Sequence, residues 1–155
     1  VFEDTDSWVT ATAGTDSIIK FDSDSIASRT IPSTLISMRE GYFGSAYLMD
    51  NGNLLVAAPA SDVNGAKGTV MVINRTNGNV PLVSLPIDGD PVRALPYSNA
   101  TEYWVAVNDR STTGSASRLI RINTSGKITW SWGDGLLTHP TGFAVLDNDT
   151  LLISE

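Results

Sequence analysis

Trp104-Val105-Ala106-Val107 recurs along the chain as Trp8-Val9-Thr10-Ala11, Leu55-Val56-Ala57-Ala58 and Leu152-Ile153-Ser154-Glu155, at intervals of 47 to 49 residues. Each copy is built of β-branched, aromatic and small apolar residues that suit a buried strand. An interval this long around a strand means one supersecondary unit copied along the chain, in the size range of a four-stranded propeller blade. Such scaffolds carry many functions, and the residues that decide among them lie in the loops that differ between copies.

Each unit reads as up to four short strands separated by turn residues, the pattern of an antiparallel blade. First strands are expected at residues 45–49 and 142–146, with a poorer match at 92–95. Tight turns follow the better two, at Asp50-Asn51-Gly52-Asn53 and Asp147-Asn148-Asp149-Thr150. Their Asn, Asp and Gly tolerate the positive φ that hairpins need. Third strands are expected at 17–22, 69–74 and 118–123, each ending in Asp or Asn. Fourth strands are expected at 28–31, 81–85 and 127–132, Pro81 being tolerable on an outermost strand with one free side.

The expectation is an all-β propeller segment of about three four-stranded blade-equivalents, with almost no helix. Residues 1–31 make a partial blade, 44–86 and 92–132 two whole blades, and 142–155 the start of another. The thirteen strands cannot close a ring, which needs typically four to eight blades. The chain is therefore expected to be part of a longer propeller, or to be completed by a second copy of itself.

Composition narrows the function. At 155 residues with 41% hydrophobic content the chain is one domain with a sizeable core. A net charge of −7 opposes binding to phosphate backbones, so no nucleic-acid partner is expected. No apolar run approaches the roughly 20 residues of a membrane span, and no membrane insertion is expected. Cysteine is absent, which excludes disulfides, a thiolate nucleophile and cysteine metal sites. The polar residues are mostly Ser, Thr, Asn and Asp, and this balance leans towards an extracellular or cell-surface protein.

The last repeat, residues 137–155, contains Pro140-Thr141-Gly142-Phe143-Ala144-Val145, then a turn, then Leu151-Leu152-Ile153-Ser154-Glu155. It resembles the NHL-type repeat, in which a Pro-x-Gly-apolar-Ala-Val strand precedes a turn and a Leu-x-Val-Ala-Asp strand. The segment Ser125-Gly126-Lys127-Ile128-Thr129-Trp130-Ser131-Trp132-Gly133 resembles the outer hairpin of the related arylsulfotransferase-like propellers. The likeness is good over 118–155, approximate over 44–86, and rests on strand pattern alone before residue 31. It implies a six-bladed propeller used as a binding platform. Sulfotransferases of the wider group accept the sulfuryl group on histidine, and here the only histidine, His139, falls outside any match to their motif.

Residues at or just before first strands are the candidates for meeting a ligand or partner: Arg39, Tyr42, Arg93 and His139. His139 is equally an ordinary loop residue before a proline that fixes the start of a strand. A catalytic role would require an orienting partner, and the sequence offers none. Alternating acids at Asp4-Thr5-Asp6, Asp22-Ser23-Asp24 and Asp147-Asn148-Asp149 allow calcium, but lack the Gly and distal Glu of an EF-hand. Hairpin chemistry accounts for the last two, and no cofactor is expected.

Asn74, Asn99, Asn123 and Asn148 each begin an Asn-x-Ser/Thr sequon, of which about two would arise by chance. Asn74 and Asn123 also start equivalent turns, where the side chain bonds the backbone two residues on. Trp8 and Trp104 sit at equivalent strand positions and are expected to pack between blades. Trp130 and Trp132 should share one face of an outer strand, and a sugar-stacking surface is the alternative use of these aromatics.

The favoured function is a non-catalytic binding or assembly module outside the cell, whose partner is another protein or the remaining blades. An arylsulfotransferase-like enzyme and a propeller holding a glycan or polyol are the alternatives.

Overall fold

The computed structural model describes residues 7–11, 17–21, 27–32, 45–59, 67–74, 81–97, 101–109, 117–147 and 150–155, the first three segments by backbone alone. Thirteen strands and no helix occur among the described residues. They are β1 (Ser7–Ala11), β2 (Ser17–Phe21), β3 (Ala27–Pro32), β4 (Ser45–Leu48), β5 (Leu54–Ala58), β6 (Gly68–Ile73), β7 (Pro81–Ile87), β8 (Asp90–Tyr97), β9 (Glu102–Asn108), β10 (Ser117–Asn123), β11 (Ile128–Leu137), β12 (Gly142–Val145) and β13 (Leu151–Ser154). Every pairing is antiparallel between chain neighbours. Four open sheets result, with orders β1-β2-β3, β4-β5-β6-β7, β8-β9-β10-β11 and β12-β13.

Trp8, Leu55, Trp104 and Leu152 fall on β1, β5, β9 and β13, so the interval between them is one sheet. Several strand bounds differ from expectation: β7 runs on to Ile87 rather than 85 and β8 to Tyr97 rather than 95, and the third sheet differs at both its ends. The third sheet begins at Asp90 rather than 92, because β8 is an edge strand, where Pro91 and Pro96 are tolerated. It ends at Leu137 rather than 132. Ser117 pairs with Leu137 and Leu119 with Trp132, so β11 carries extra residues opposite β10. Gly133 and Gly135, at φ +98° and +74°, absorb that excess and let pairing resume.

Two of the expected turns lie wholly among the described residues, and both form. Gly52 at φ +78° closes the hairpin from Met49 to Asn53, and Asn51 Oδ1 accepts from Asn53 N at 3.0 Å. In the turn after β10, Asn123 Oδ1 accepts from Ser125 N at 3.1 Å, Ser125 Oγ at 2.7 Å and Lys127 N at 2.9 Å.

The core lies between sheets. Leu55, Ala57, Val70, Val72, Leu85 and Ile87 of the second sheet pack on Ala94, Tyr103, Val105, Val107, Ile120 and Ile122 of the third. The opposite face of the third sheet, with Val92, Trp104, Ala106 and Leu119, packs on Phe143, flanked by Leu151 and Ile153 of the fourth. Burial on both faces explains why β5 and β9 read as continuous apolar runs rather than as alternating strands. Each fully buried Leu, Ile or Val there contributes about 1.5–3 kcal/mol from removal of apolar area from water.

Candidate functional site

The strongest candidate lies where the inner strands of the third and fourth sheets meet. Register makes Ser45, Arg93 and Gly142 equivalent: they pair with Ala57, Ala106 and Ser154, each two residues beyond the recurrent position. This position touches the next inner strand in both places that can be compared. Ser45 Oγ accepts from Ala94 N at 3.2 Å. A Cβ placed on Gly142 would lie 3.8 Å from Arg93 Cδ and 3.4 Å from Ser154 Oγ. Small residues thus occupy the position on either side, and Arg93 breaks the repeat with a long cation.

A bulge between Pro91 and Arg93 sets the aim of that side chain. Such an irregularity turns neighbouring side chains out of strict alternation. Val92 accordingly joins the cluster around Phe143 while Arg93 lies over Gly142. Arg93 is half-buried, and its Nε is fully enclosed without a hydrogen-bond partner. Two residues beyond Ala106 on β9, and so on the same face, Asn108 Oδ1 is also enclosed and unpartnered.

Polar contacts gather at this end of the fourth sheet. Glu155 Oε1 accepts from Thr138 N at 2.6 Å and from Thr138 Oγ1 at 3.2 Å. These bonds hold the Glu155 carboxyl below its ordinary value, Thr138 N–H being the largest cause, with His139 adding an attractive charge. Thr141 Oγ1 lies 3.0 Å from Ser154 Oγ, which donates to Gly142 O at 3.2 Å. His139 itself is exposed in the segment leading into β12.

A second region crosses all four strands of the third sheet. The Arg121 guanidinium sits 4.6 Å from the Tyr97 ring centre and 5.6 Å from that of Trp104. Trp104 makes edge-to-face contacts with Tyr97 at 5.5 Å and Trp130 at 5.1 Å. Trp104 is buried as core, whereas Trp130 and Trp132 are 36% and 45% exposed. The counterparts of Trp130 and Trp132 in the second sheet are Val83 and Leu85, and Leu85 is only 4% exposed.

Of the four residues singled out from sequence, Arg93 lies on β8 beside Gly142, and His139 stands three residues before that glycine. Arg39 and Tyr42 lie outside the described residues, as do the sequons at Asn99 and Asn148. Asn123 is engaged by its own turn through Oδ1, and Asn74 is half-buried. No group of three His, Asp or Glu residues converges to hold a metal ion among the described residues. Asn108 was not singled out from sequence. Its signal is that a polar amide stands where the second repeat has Pro59, four residues past the recurrent position.

Compared with family models and with curated proteins, the sequence matches neither. Its function must therefore be argued from the geometry above.

Proposed function

We propose that this chain is a β-propeller segment of NHL-like type, acting as a non-catalytic binding and assembly module outside the cell or on its surface. The observation that carries this reading is the repeated sheet-on-sheet interface and the faces it leaves open. Leu55 is fully buried under the third sheet and Trp104 is 6% exposed under the fourth, but their counterpart Leu152 is 57% exposed. Leu146, just past the end of β12, is 59% exposed, and Trp132 lies open where Leu85 is covered. An apolar sheet face flanked by a two-stranded edge fits a partner that presents another sheet of the same kind.

Localisation outside the cell is supported by the Ser-, Thr- and Asn-rich composition and by the sequons, Asn74 and Asn123 among them. Enzymatic sulfuryl transfer has only the exposed His139 to draw on, which favours the binding reading.

The cysteine-free chain offers a direct test. Leu152→Cys in the native particle is expected to resist maleimide labelling to nearly the degree of Leu55→Cys. It should become reactive when the particle is dissociated. If Leu152→Cys labels as fast as Asp147→Cys in the native particle, the assembly reading is wrong.

A further inference from the structure

We infer that the outer edge of β11 is a self-association surface, on which a second copy of this chain adds its own β11 antiparallel, about a two-fold axis through Ser131. This goes beyond the assembly reading above, which concerns the open face of the fourth sheet, and stands independently of it. β11 is the outermost strand of the third sheet, and nothing among the described residues pairs with its free side. A bare edge offers a row of backbone donors and acceptors to any strand that can reach it, and proteins blunt such edges with proline or charge. The counterpart edges of the first and second sheets are blunted in this way. β3 carries Arg29 and ends in Pro32, and β7 carries Pro81 and Pro86. From Ile128 to Trp132, by contrast, β11 reads Ile-Thr-Trp-Ser-Trp, five exposed residues with strand preference and with neither charge nor proline.

The segment also selects its partner. Trp130-Ser131-Trp132 reads the same in both directions, so antiparallel pairing centred on Ser131 sets Trp130 of each copy against Trp132 of the other. Directly opposite side chains stand about 4.5–5.5 Å apart at Cβ, where aromatic pairs attract. The two indoles alternate with Thr129 and Ser131 and so share one face of β11, 36% and 45% exposed. Trp130 is already held in place by its edge-to-face contact with Trp104 at 5.1 Å. Charge agrees with self-pairing. The net −7 of the chain opposes association in general, yet no charge lies on this edge between Lys127 at one end and Asp134 at the other. Antiparallel pairing brings each lysine to the end where the second copy has its aspartate.

Gly133 and Gly135 bound the contact. The irregular stretch they accommodate breaks the ladder with β10 between Trp132 and Leu137. The flat edge therefore ends there, and the register cannot slide along a longer strand. Pairing one edge with itself consumes that edge, so the association closes at two copies instead of growing into a fibre.

The test is the mass of the native particle formed by the whole chain, read by sedimentation over a range of concentrations at low ionic strength. Ser131 is exposed, so replacing it leaves the core untouched. Ser131→Lys sets two ammonium groups opposite each other at the axis. It should raise the dissociation constant at least about tenfold and halve the particle mass. Ser131→Glu should do the same. Mixing the two variants should restore the native mass, because each lysine then faces a glutamate, and only folded variants can complement each other in this way. A native chain that sediments as a monomer at every concentration, a mass that Ser131→Lys leaves unchanged, or a mixture that stays dissociated would each overturn the inference. Leu152→Cys protection reports on the face of the fourth sheet and does not involve Ser131, so failure here is distinguishable from failure of the assembly reading.

Discussion

Ser117 Oγ donates to the carbonyl of Thr138 at 2.8 Å while accepting from Asp109 N at 3.0 Å. One fully buried hydroxyl thus ties the end of β9, the start of β10 and the segment leading into β12. Ser117→Ala removes two part-buried hydrogen bonds, to the exposed Thr138 and the half-buried Asp109, each worth about 0.5–1.5 kcal/mol. The variant is expected to lose about 2 kcal/mol in urea unfolding. A loss below about 0.5 kcal/mol would mean that water replaces the hydroxyl.

Arg121 joins two kinds of interaction on one sheet face. Its Nε meets Glu102 at 3.0 Å, with both side chains about three-quarters buried, and its guanidinium lies against Tyr97 and Trp104. Glu102→Gln removes charge but keeps an acceptor, and should cost about 1 kcal/mol. Arg121→Met removes both the ion pair and the cation–π contacts and should cost about 2–3 kcal/mol. The order of the two, read by chemical denaturation with tryptophan emission, is the prediction; equal losses would assign the whole effect to the ion pair.

The recurrent second strand and its turns were legible because they are local: apolar runs and Asn-Gly chemistry act within a few residues. From these the grouping of strands into sheets of three, four, four and two followed. Less legible was anything that depends on a departure from regular pairing. The bulge that aims Arg93 and the Gly133–Gly135 excess in β11 leave no apolar periodicity of their own, and Pro91 and Pro96 disguised the length of β8. The grouping of Tyr97, Trp104, Arg121 and Trp130 exists only once β8 to β11 are placed side by side. Arg93 was visible as a cation on an inner strand, but Asn108 acquires meaning only through the face it shares with Arg93.

The Glu155 carboxyl gives a pH dependence with a defined sign. Its folded value lies below the ordinary 4.5, through the Thr138 N–H first and then the Thr138 hydroxyl, His139 N–H and the His139 charge. A depressed acid contributes fully above its unfolded value and loses that contribution as pH falls through the folded one. Between neutral pH and 4.5 the tether to Thr138 should be constant, and it should weaken only below that. The Thr138 amide shift should move upfield in a single step there, and Glu155→Gln should remove the step. A step at or above the ordinary carboxylate value would contradict the geometry.

Three glycines separate the cost of backbone conformation from the cost of space. Gly52 has φ +78° and nothing within 4 Å of a would-be Cβ, so Gly52→Ala is expected to cost only about 1 kcal/mol of left-handed strain. Gly133 has φ +98°, and its Cβ would come within 2.7 Å of Leu137 Cδ1 and 2.9 Å of Leu137 Cγ. Gly133→Ala adds about 1–3 kcal/mol of overpacking to the strain and displaces the buried Leu137. Gly68 lies against the Pro91 ring and the Gly89 carbonyl, so its Cβ would overlap atoms at the junction between the second and third sheets. Because backbone and a proline ring cannot rotate away, Gly68→Ala should be the most damaging of the three, although Gly68 has no left-handed φ. Thermal midpoints should fall in the order Gly52→Ala, Gly133→Ala, Gly68→Ala, from least to most affected. A Gly68→Ala variant as stable as Gly52→Ala would show that the contact between β6 and β8 yields without cost, and that the junction between the second and third sheets is looser than its packing implies.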